Sequence, residues 1–224
     1  MQIDKNTVSA KNQLKENEYI SYINPNGKGK RILFVGNSIT RHGIKPDIGW
    51  NNDFGMAASS KENDYVHILA DRLEKLYSDA VVCICQASLW ESNYKNGIDY
   101  HNYFTLARDF KADIIVMRIV ENCKYQDFEH QLFCKNYKIF IDFLNSNNAE
   151  VILTSSFWKH PGDTDIEKIA DERKYPFVYL GDLGENDDMK ATGLFEHSGV
   201  AAHPGDNGMR VIADRIYRCV AKIN

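Results

Sequence analysis

Three polar residues in this sequence, two after apolar runs and one before an amphipathic stretch, have the chemistry of acyl transfer. Ser38 lies in Gly36-Asn37-Ser38-Ile39-Thr40, directly after Arg31-Ile-Leu-Phe-Val35. A serine after a glycine, at a turn where a helix can begin, faces free backbone N–H groups and a positive dipole end, which suit a developing oxyanion. Taken alone, the pentapeptide reads more simply as a helix N-cap. Asn122 ends Arg118-Ile-Val-Glu-Asn122, after the run Ile114-Ile-Val-Met117. A side-chain amide there donates to an oxyanion or ties down a loop. His203 lies in Gly199-Val-Ala-Ala-His203-Pro-Gly-Asp-Asn-Gly208, just before the last amphipathic stretch. An imidazole on a proline-stiffened loop entering a helix can act as general base. A serine, an asparagine and a histidine at separate strand ends of one sheet form an acyl-transfer constellation.

The elements that must position them are legible as alternating periodicities. Short apolar runs at 31–35, 80–85, 114–117, 151–154 and 177–180 predict five strands. Between them lie helical stripes: Val66, Leu69, Leu73, Leu76 and Tyr77; Tyr100, Tyr103, Phe104 and Ala107; Phe133, Tyr137, Phe140, Ile141 and Leu144; Ile166, Ile169 and Ala170; Met209, Ile212, Ala213, Ile216 and Val220. Continuous apolar strands alternating with helices predict a parallel sheet covered on both faces. The expected architecture is a three-layer α/β/α sandwich with a parallel five-stranded sheet, residues 31–224 forming one domain behind a polar N-terminal arm at 1–30. Ligands of such sheets bind beyond the carboxyl ends of the strands, where all three candidates fall.

Composition removes several alternatives. The 224 residues are 43% hydrophobic and 26% charged, and 27 basic against 31 acidic side chains give a net charge of −4. No net positive field attracts nucleic acid or an anionic membrane. There is no apolar run long enough for a membrane span and no signal-peptide core in the first thirty residues, so a cytoplasmic location is expected. Five cysteines without a CxxC pair predict buried thiols rather than a disulfide framework or a zinc site. GxGxxG and GxxxxGK are both missing, so no cofactor and no metal are expected. The partner expected is a small-molecule ester; the sequence does not specify an oligomeric state.

GNSIT resembles the GDS-type nucleophile block of the SGNH hydrolases, the GDSL-like lipase and esterase superfamily. Asn122 matches the asparagine of that family's third block, and His203 the histidine of its last block, in the same order and at the same strand ends. The resemblance spans residues 31 to 224. It implies a flavodoxin-like sandwich that hydrolyses ester bonds through an acyl-enzyme intermediate. The family's tendency together with the sequence's tryptophans makes a small acyl ester, an O-acetyl ester of a carbohydrate, the expected substrate. Ser38 would be the nucleophile and His203 the base; the Ser38 N–H, the N–H of Trp90 and the Asn122 amide would form the oxyanion hole. The chain departs from the family's pattern at Trp90 and Val120, where glycine is usual. It departs most at Val200, where the family places the acid that orients the histidine. Glu196, Asp182, Asp206 or a backbone carbonyl is left to hold the imidazole.

Around this centre, Trp50, Trp90 and Trp158 fall in loops at the carboxyl end of the sheet, where they could form a stacking rim for a sugar. Arg118 and Glu121 read as a buried ion pair shaping the oxyanion loop, with Arg118 as a possible anion anchor. A second His-Pro-Gly-Asp at 160–163 makes His160 a rival base, a substrate contact or a structural turn. The segment 41–60, rich in Gly, Asn and Asp, is expected to be a lid or specificity loop. The missing acid also admits a non-catalytic sugar-binding module on the same fold, and Glu91 with Glu121 a glycosidase.

Overall fold

A computed structural model describes residues 16–223. Residues 1–15 of the polar arm, and residue 224, lie outside the described residues. The strands are β1 (Ile20–Ile23), β2 (Arg31–Gly36), β3 (Val81–Gln86), β4 (Ile114–Arg118), β5 (Glu150–Thr154) and β6 (Phe177–Val178). They form one sheet of order β1-β3-β2-β4-β5-β6, in which every pairing but one is parallel. Among the described residues the sheet therefore has six strands, against the five expected. The extra one, β1, comes from the polar arm and pairs antiparallel with β3, Ile20 opposite Cys85 and Ile23 opposite Val82. Its pattern explains why it is quiet in the sequence. Only Ile20 is fully buried and the other three residues are half-buried, as suits a short edge strand.

The central strands are buried along their length, and alternate residues feed two separate cores. Ile32, Phe34, Val82, Ile84, Ile114 and Val116 face α1 (Tyr65–Tyr77) and, at the end of the chain, α8 (Asp206–Val220). Leu33, Val35, Cys83, Cys85, Ile115 and Met117 face the opposite layer. That layer comprises α2 (Ser88–Asn93), α3 (Tyr100–Tyr103), α4 (Thr105–Asp109), α5 (His130–Leu144) and α6 (Asp163–Arg173). A single turn, α7 (Ser198–Ala201), precedes α8. The three-layer α/β/α arrangement expected from the periodicities is present.

The topology places the candidate chemistry. Strand β2 lies between β3 and β4. The chain leaves β2 for β3 on one side and then crosses back over β2 to β4 on the other, so the winding reverses at the carboxyl ends of β2 and β4, the switch point of the sheet. Gly36 ends β2 because the chain turns back hard against it. A Cβ there would lie 1.7 Å from Thr40 Oγ1, closer than any side chain permits. Glycine at this position lets Ser38 rise over the sheet edge.

The five cysteines are all free; Cys83, Cys85 and Cys123 are buried and Cys134 and Cys219 half-buried. Among the described residues no helix is long and apolar enough to cross a membrane. None of them form a cluster of three His, Cys, Asp or Glu side chains arranged for a metal ion.

Candidate active site

Ser38 and His203, 165 positions apart in sequence, meet at this switch point with Ser38 Oγ 2.8 Å from His203 Nε2. The other ring nitrogen, Nδ1, lies 2.6 Å from the carbonyl oxygen of Gly199. A carbonyl can only accept, so Nδ1 carries the proton and Nε2 presents its lone pair to the serine hydroxyl. That is the tautomer a general base needs. Desolvation, against the opposing effect of the Gly199 carbonyl, pulls the imidazole down to about 4, so the ring is neutral near pH 7.

Among the described residues no carboxylate takes the place of the acid the sequence lacks. Val200 is fully buried among Trp50, Met56, Ala57 and Ala191. Asp182 is paired with Arg215 at 2.5 Å, and Asp206 accepts from Ser59 N at 2.8 Å. Glu196 is exposed. Of the four groups left open to hold the imidazole, the backbone carbonyl takes the place, presented by the turn of α7. Trp158 braces the same loop. Its ring meets the His203 ring edge-on at 5.1 Å, and its indole N–H donates to Ala202 O at 3.2 Å.

Ser38 and His203 open onto a pocket of about 280 Å³ lined also by His42, Ile48, Met56, Gln86, Ser88, Asn122, His197, Gly199 and Val200. Segment 41–60, expected as a lid, is a pinned wall. Trp50 is fully buried in it, with its indole N–H donating to His42 O at 3.0 Å. Met56 N donates to Ser38 O at 2.9 Å, and Asp64, the N-cap of α1, accepts from Gly55 N at 3.1 Å. His42, Gln86, Ser88 and His197 were not singled out in the sequence. The signals available were the position of His42 four residues after Ser38 and that of Gln86 and Ser88 at a strand end.

Beneath the pocket is a buried polar network. Asn37, Glu91, Arg118 and the Glu121 side chain are all nearly inaccessible. Arg118 Nη1 donates to Glu121 Oε1 at 2.6 Å, and Arg118 Nη2 donates to Asn37 Oδ1. The Asn37 amide donates to Glu121 Oε2 at 2.7 Å and to Glu91 Oε1 at 3.0 Å. Burial opposes ionisation of Glu121, but Arg118 and donors from Phe157 N and Asn37 outweigh it and hold the carboxylate below its ordinary range. Asn122, at the pocket edge, donates one amide N–H to Glu91 Oε2 at 2.6 Å.

Several expected substrate contacts are corrected by this geometry. Trp90 is fully buried and stacks on Phe140 at 5.3 Å, and its N–H donates to Ala87 O at 2.9 Å within the first turn of α2. It supplies neither a sugar platform nor an oxyanion donor. Trp50 is a plug within the wall, so of the three tryptophans only Trp158 touches the site. Arg118 and Glu121 pair with each other and with Asn37, as the ion-pair reading expects, and Arg118 is fully buried and does not line the pocket. Glu91 and Glu121 both accept from the Asn37 amide and do not line the pocket, which leaves no room for a glycosidase pair.

His160 is the structural turn of its alternatives. Its Nε2 bonds Cys123 O at 2.9 Å, its Nδ1 accepts from Gly162 N at 3.0 Å, and it is not a pocket residue. His160→Ala should therefore keep p-nitrophenyl acetate hydrolysis within about threefold of wild type while lowering stability in urea by about 1–2 kcal/mol. A loss of turnover comparable to that of His203→Ala would contradict this assignment.

No family model and no curated protein matches the chain. Solved structures do. The psychrotrophic esterase EstA from Pseudoalteromonas sp. superposes with a TM-score of 0.59 at 14% identity, over 86% of this chain and 97% of that one. An acetyl xylan esterase superposes with a TM-score of 0.53 at 18% identity, over 85% and 99%. A two-domain esterase active on acetylated mannans gives 0.55 at 14% identity, over 87% of this chain but 50% of its own length. The chain has the fold these proteins share, the one the sequence resemblance implies.

Proposed function

We propose that this chain is a serine esterase that removes a small acyl group through an acyl-enzyme intermediate. The observation that carries the reading is the contact of Ser38 Oγ with His203 Nε2 at 2.8 Å, with His203 Nδ1 held by Gly199 O. Ser38 Oγ attacks the ester carbonyl carbon while its proton passes to His203 Nε2. The negative oxygen of the tetrahedral intermediate is received by the Ser38 N–H and the second N–H of the Asn122 amide. As the intermediate collapses, the bond to the alcohol oxygen breaks and His203 returns its proton to that oxygen. Water then attacks the acyl carbon, again giving its proton to His203, and Ser38 is regenerated with release of the acid.

The pocket supports a short acyl group. Its volume of about 280 Å³ lies at the bottom of the range for small-molecule sites, and Ile48, Met56 and Val200 are its apolar lining. The structural neighbours that act on acetylated mannans and acetyl xylan favour an acetyl ester of a carbohydrate. With Trp50 and Trp90 buried, a tryptophan rim adds nothing to that preference. We expect kcat/KM on p-nitrophenyl esters to fall by about 10²-fold between acetate and octanoate, each added methylene lacking a place to bury. A flat profile across chain lengths would argue against the small acyl site.

Labelling tests the reaction itself. A fluorophosphonate should attach to Ser38, located by mass spectrometry of the digested protein, and acetate release from acetylated oligosaccharides should stop on labelling. A chain that neither labels nor turns over would leave a non-catalytic sugar-binding module as the better account.

A further inference from the structure

Glu91 carries a feature the proposed reaction does not yet use. It lies in the first turn of α2 with 1% of its surface exposed, and it ties together the loops that follow β2, β3 and β4. Its Oε1 accepts from Val120 N at 2.6 Å, Asn37 Nδ2 at 3.0 Å and Asn122 N at 3.4 Å; its Oε2 accepts from Asn122 Nδ2 at 2.6 Å. Every one of these partners is a donor.

We propose that Glu91 is a positioning residue of the oxyanion hole, whose carboxylate fixes the Asn122 amide by one N–H and so directs the other toward the carbonyl oxygen above Ser38. The role rests on the esterase reading. Facing a carboxylate, the amide can present only its nitrogen, so its orientation is decided and not left to exchange with water. Two N–H groups on one nitrogen diverge, and with the first held by Glu91 the second is available to the pocket that Asn122 lines.

Protonation would undo the arrangement. A neutral carboxyl must place its O–H on an acceptor, and Asn37 Nδ2, Val120 N and both Asn122 N–H groups offer none. Asn122 would have to turn its Oδ1 inward or withdraw. The groups around the carboxyl are Arg118 and Glu121 from the end of β4, Cys123 beyond them and Tyr137 from α5. Burial and the Glu121 charge push Glu91 up to about 7, against hydrogen bonds from Asn122 and Asn37 and the charge of Arg118. His203 loses its base form only near 4. If the carboxylate form is what positions Asn122, the acid side of the kcat profile should be set by Glu91, above the limb His203 would give.

The test is a double-mutant cycle on p-nitrophenyl acetate with full pH profiles. Asn122→Ala should lose about 10²–10³-fold in kcat. Glu91→Gln, whose side-chain NH2 must face a donor, should lose about 10²-fold in kcat with KM nearly unmoved. In the Asn122→Ala background, Glu91→Gln should cost less than about threefold, because its target is gone. Losses that multiply in the double variant overturn the positioning role. Should Glu91→Gln fail to fold, the wild type decides. An acid limb near neutrality that disappears in Asn122→Ala supports the role, and a limb that survives there removes it. A wild type that neither labels with fluorophosphonate nor turns over removes the esterase reading, and this role with it. An active wild type with multiplicative losses removes only the role.

Discussion

Ser38→Ala and His203→Ala should each lower kcat for p-nitrophenyl acetate by about 10⁴-fold or more, and combining them should cost little beyond either one alone. In the proposed mechanism nucleophile and base act as a unit, since a hydroxyl without a proton acceptor is as inert as an acceptor without a hydroxyl. What survives in each variant is catalysis by the oxyanion donors and by binding, which both leave in place. His203→Gln is the better companion variant for folding. It keeps volume against Trp158, whose ring meets His203 at 5.1 Å. Circular dichroism of each variant separates lost chemistry from lost structure. If either variant kept a tenth of wild-type turnover, or if their losses multiplied, the pair would not be the reacting unit.

The dyad differs from a triad in a way that has a physical cost. In the proposed reaction His203 would become an imidazolium during attack, and its Nδ1–H would then bond a neutral carbonyl where a carboxylate would supply opposite charge. Charge-assisted hydrogen bonds are about twice as strong as neutral ones, so part of that stabilisation is forgone. Gly199 O keeps the tautomer and the ring orientation, which are the larger share of what the third member contributes. The arrangement can therefore run the reaction, with the oxyanion donors carrying more of the stabilisation than in a charged triad. That places weight on Asn122 and on whatever holds it.

The sequence showed the architecture where burial is two-sided and hid it where burial is partial. β2, β3 and β4 are legible because strands covered on both faces must be apolar throughout. β1 alternates weakly over four residues and merges into a polar arm. Ser38, Asn122 and His203 could be found because each directly follows an apolar run or precedes a periodic helix. The acceptor for His203 could not, because a backbone carbonyl leaves no side-chain signature. The tryptophans show the limit of loop position as a guide. Trp50 and Trp90 lie where a rim would be, but a large aromatic in a loop lowers free energy most by turning inward, and both do. Glu91 was equally invisible as a support, since its reach to Asn37, Val120 and Asn122 depends on the register of one short helix.

Replacing Asn37 with aspartate, the residue of the GDS block this site resembles, should damage the protein. We expect Asn37→Asp to cost about 3–5 kcal/mol in urea unfolding at pH 8, the range for a buried charge left without a partner. The Asn37 amide donates to Glu91 at 3.0 Å and Glu121 at 2.7 Å, while its oxygen accepts from Arg118 and from Ile39 N at 3.3 Å. An aspartate keeps the accepting side and replaces both donated bonds with carboxylate facing carboxylate. Three buried acids would then share the single cation Arg118. The new carboxyl would have its pKa raised by burial and by its two neighbours, so its protonated form would be favoured in the fold. With the folded value above the unfolded one, stability is retained below the unfolded pKa of about 4 and lost as pH rises through the folded value. The deficit should accordingly shrink between pH 8 and pH 5. Adding Glu121→Gln should recover much of it, because a glutamine at 121 removes one charge and can donate to Asp at 37. Equal stability of Asn37→Asp and wild type at pH 8 would show that the amide is not what reconciles the two glutamates. The expected result means that asparagine here belongs with Glu91, Glu121 and Arg118 as a set, so restoring the commoner residue alone breaks the set.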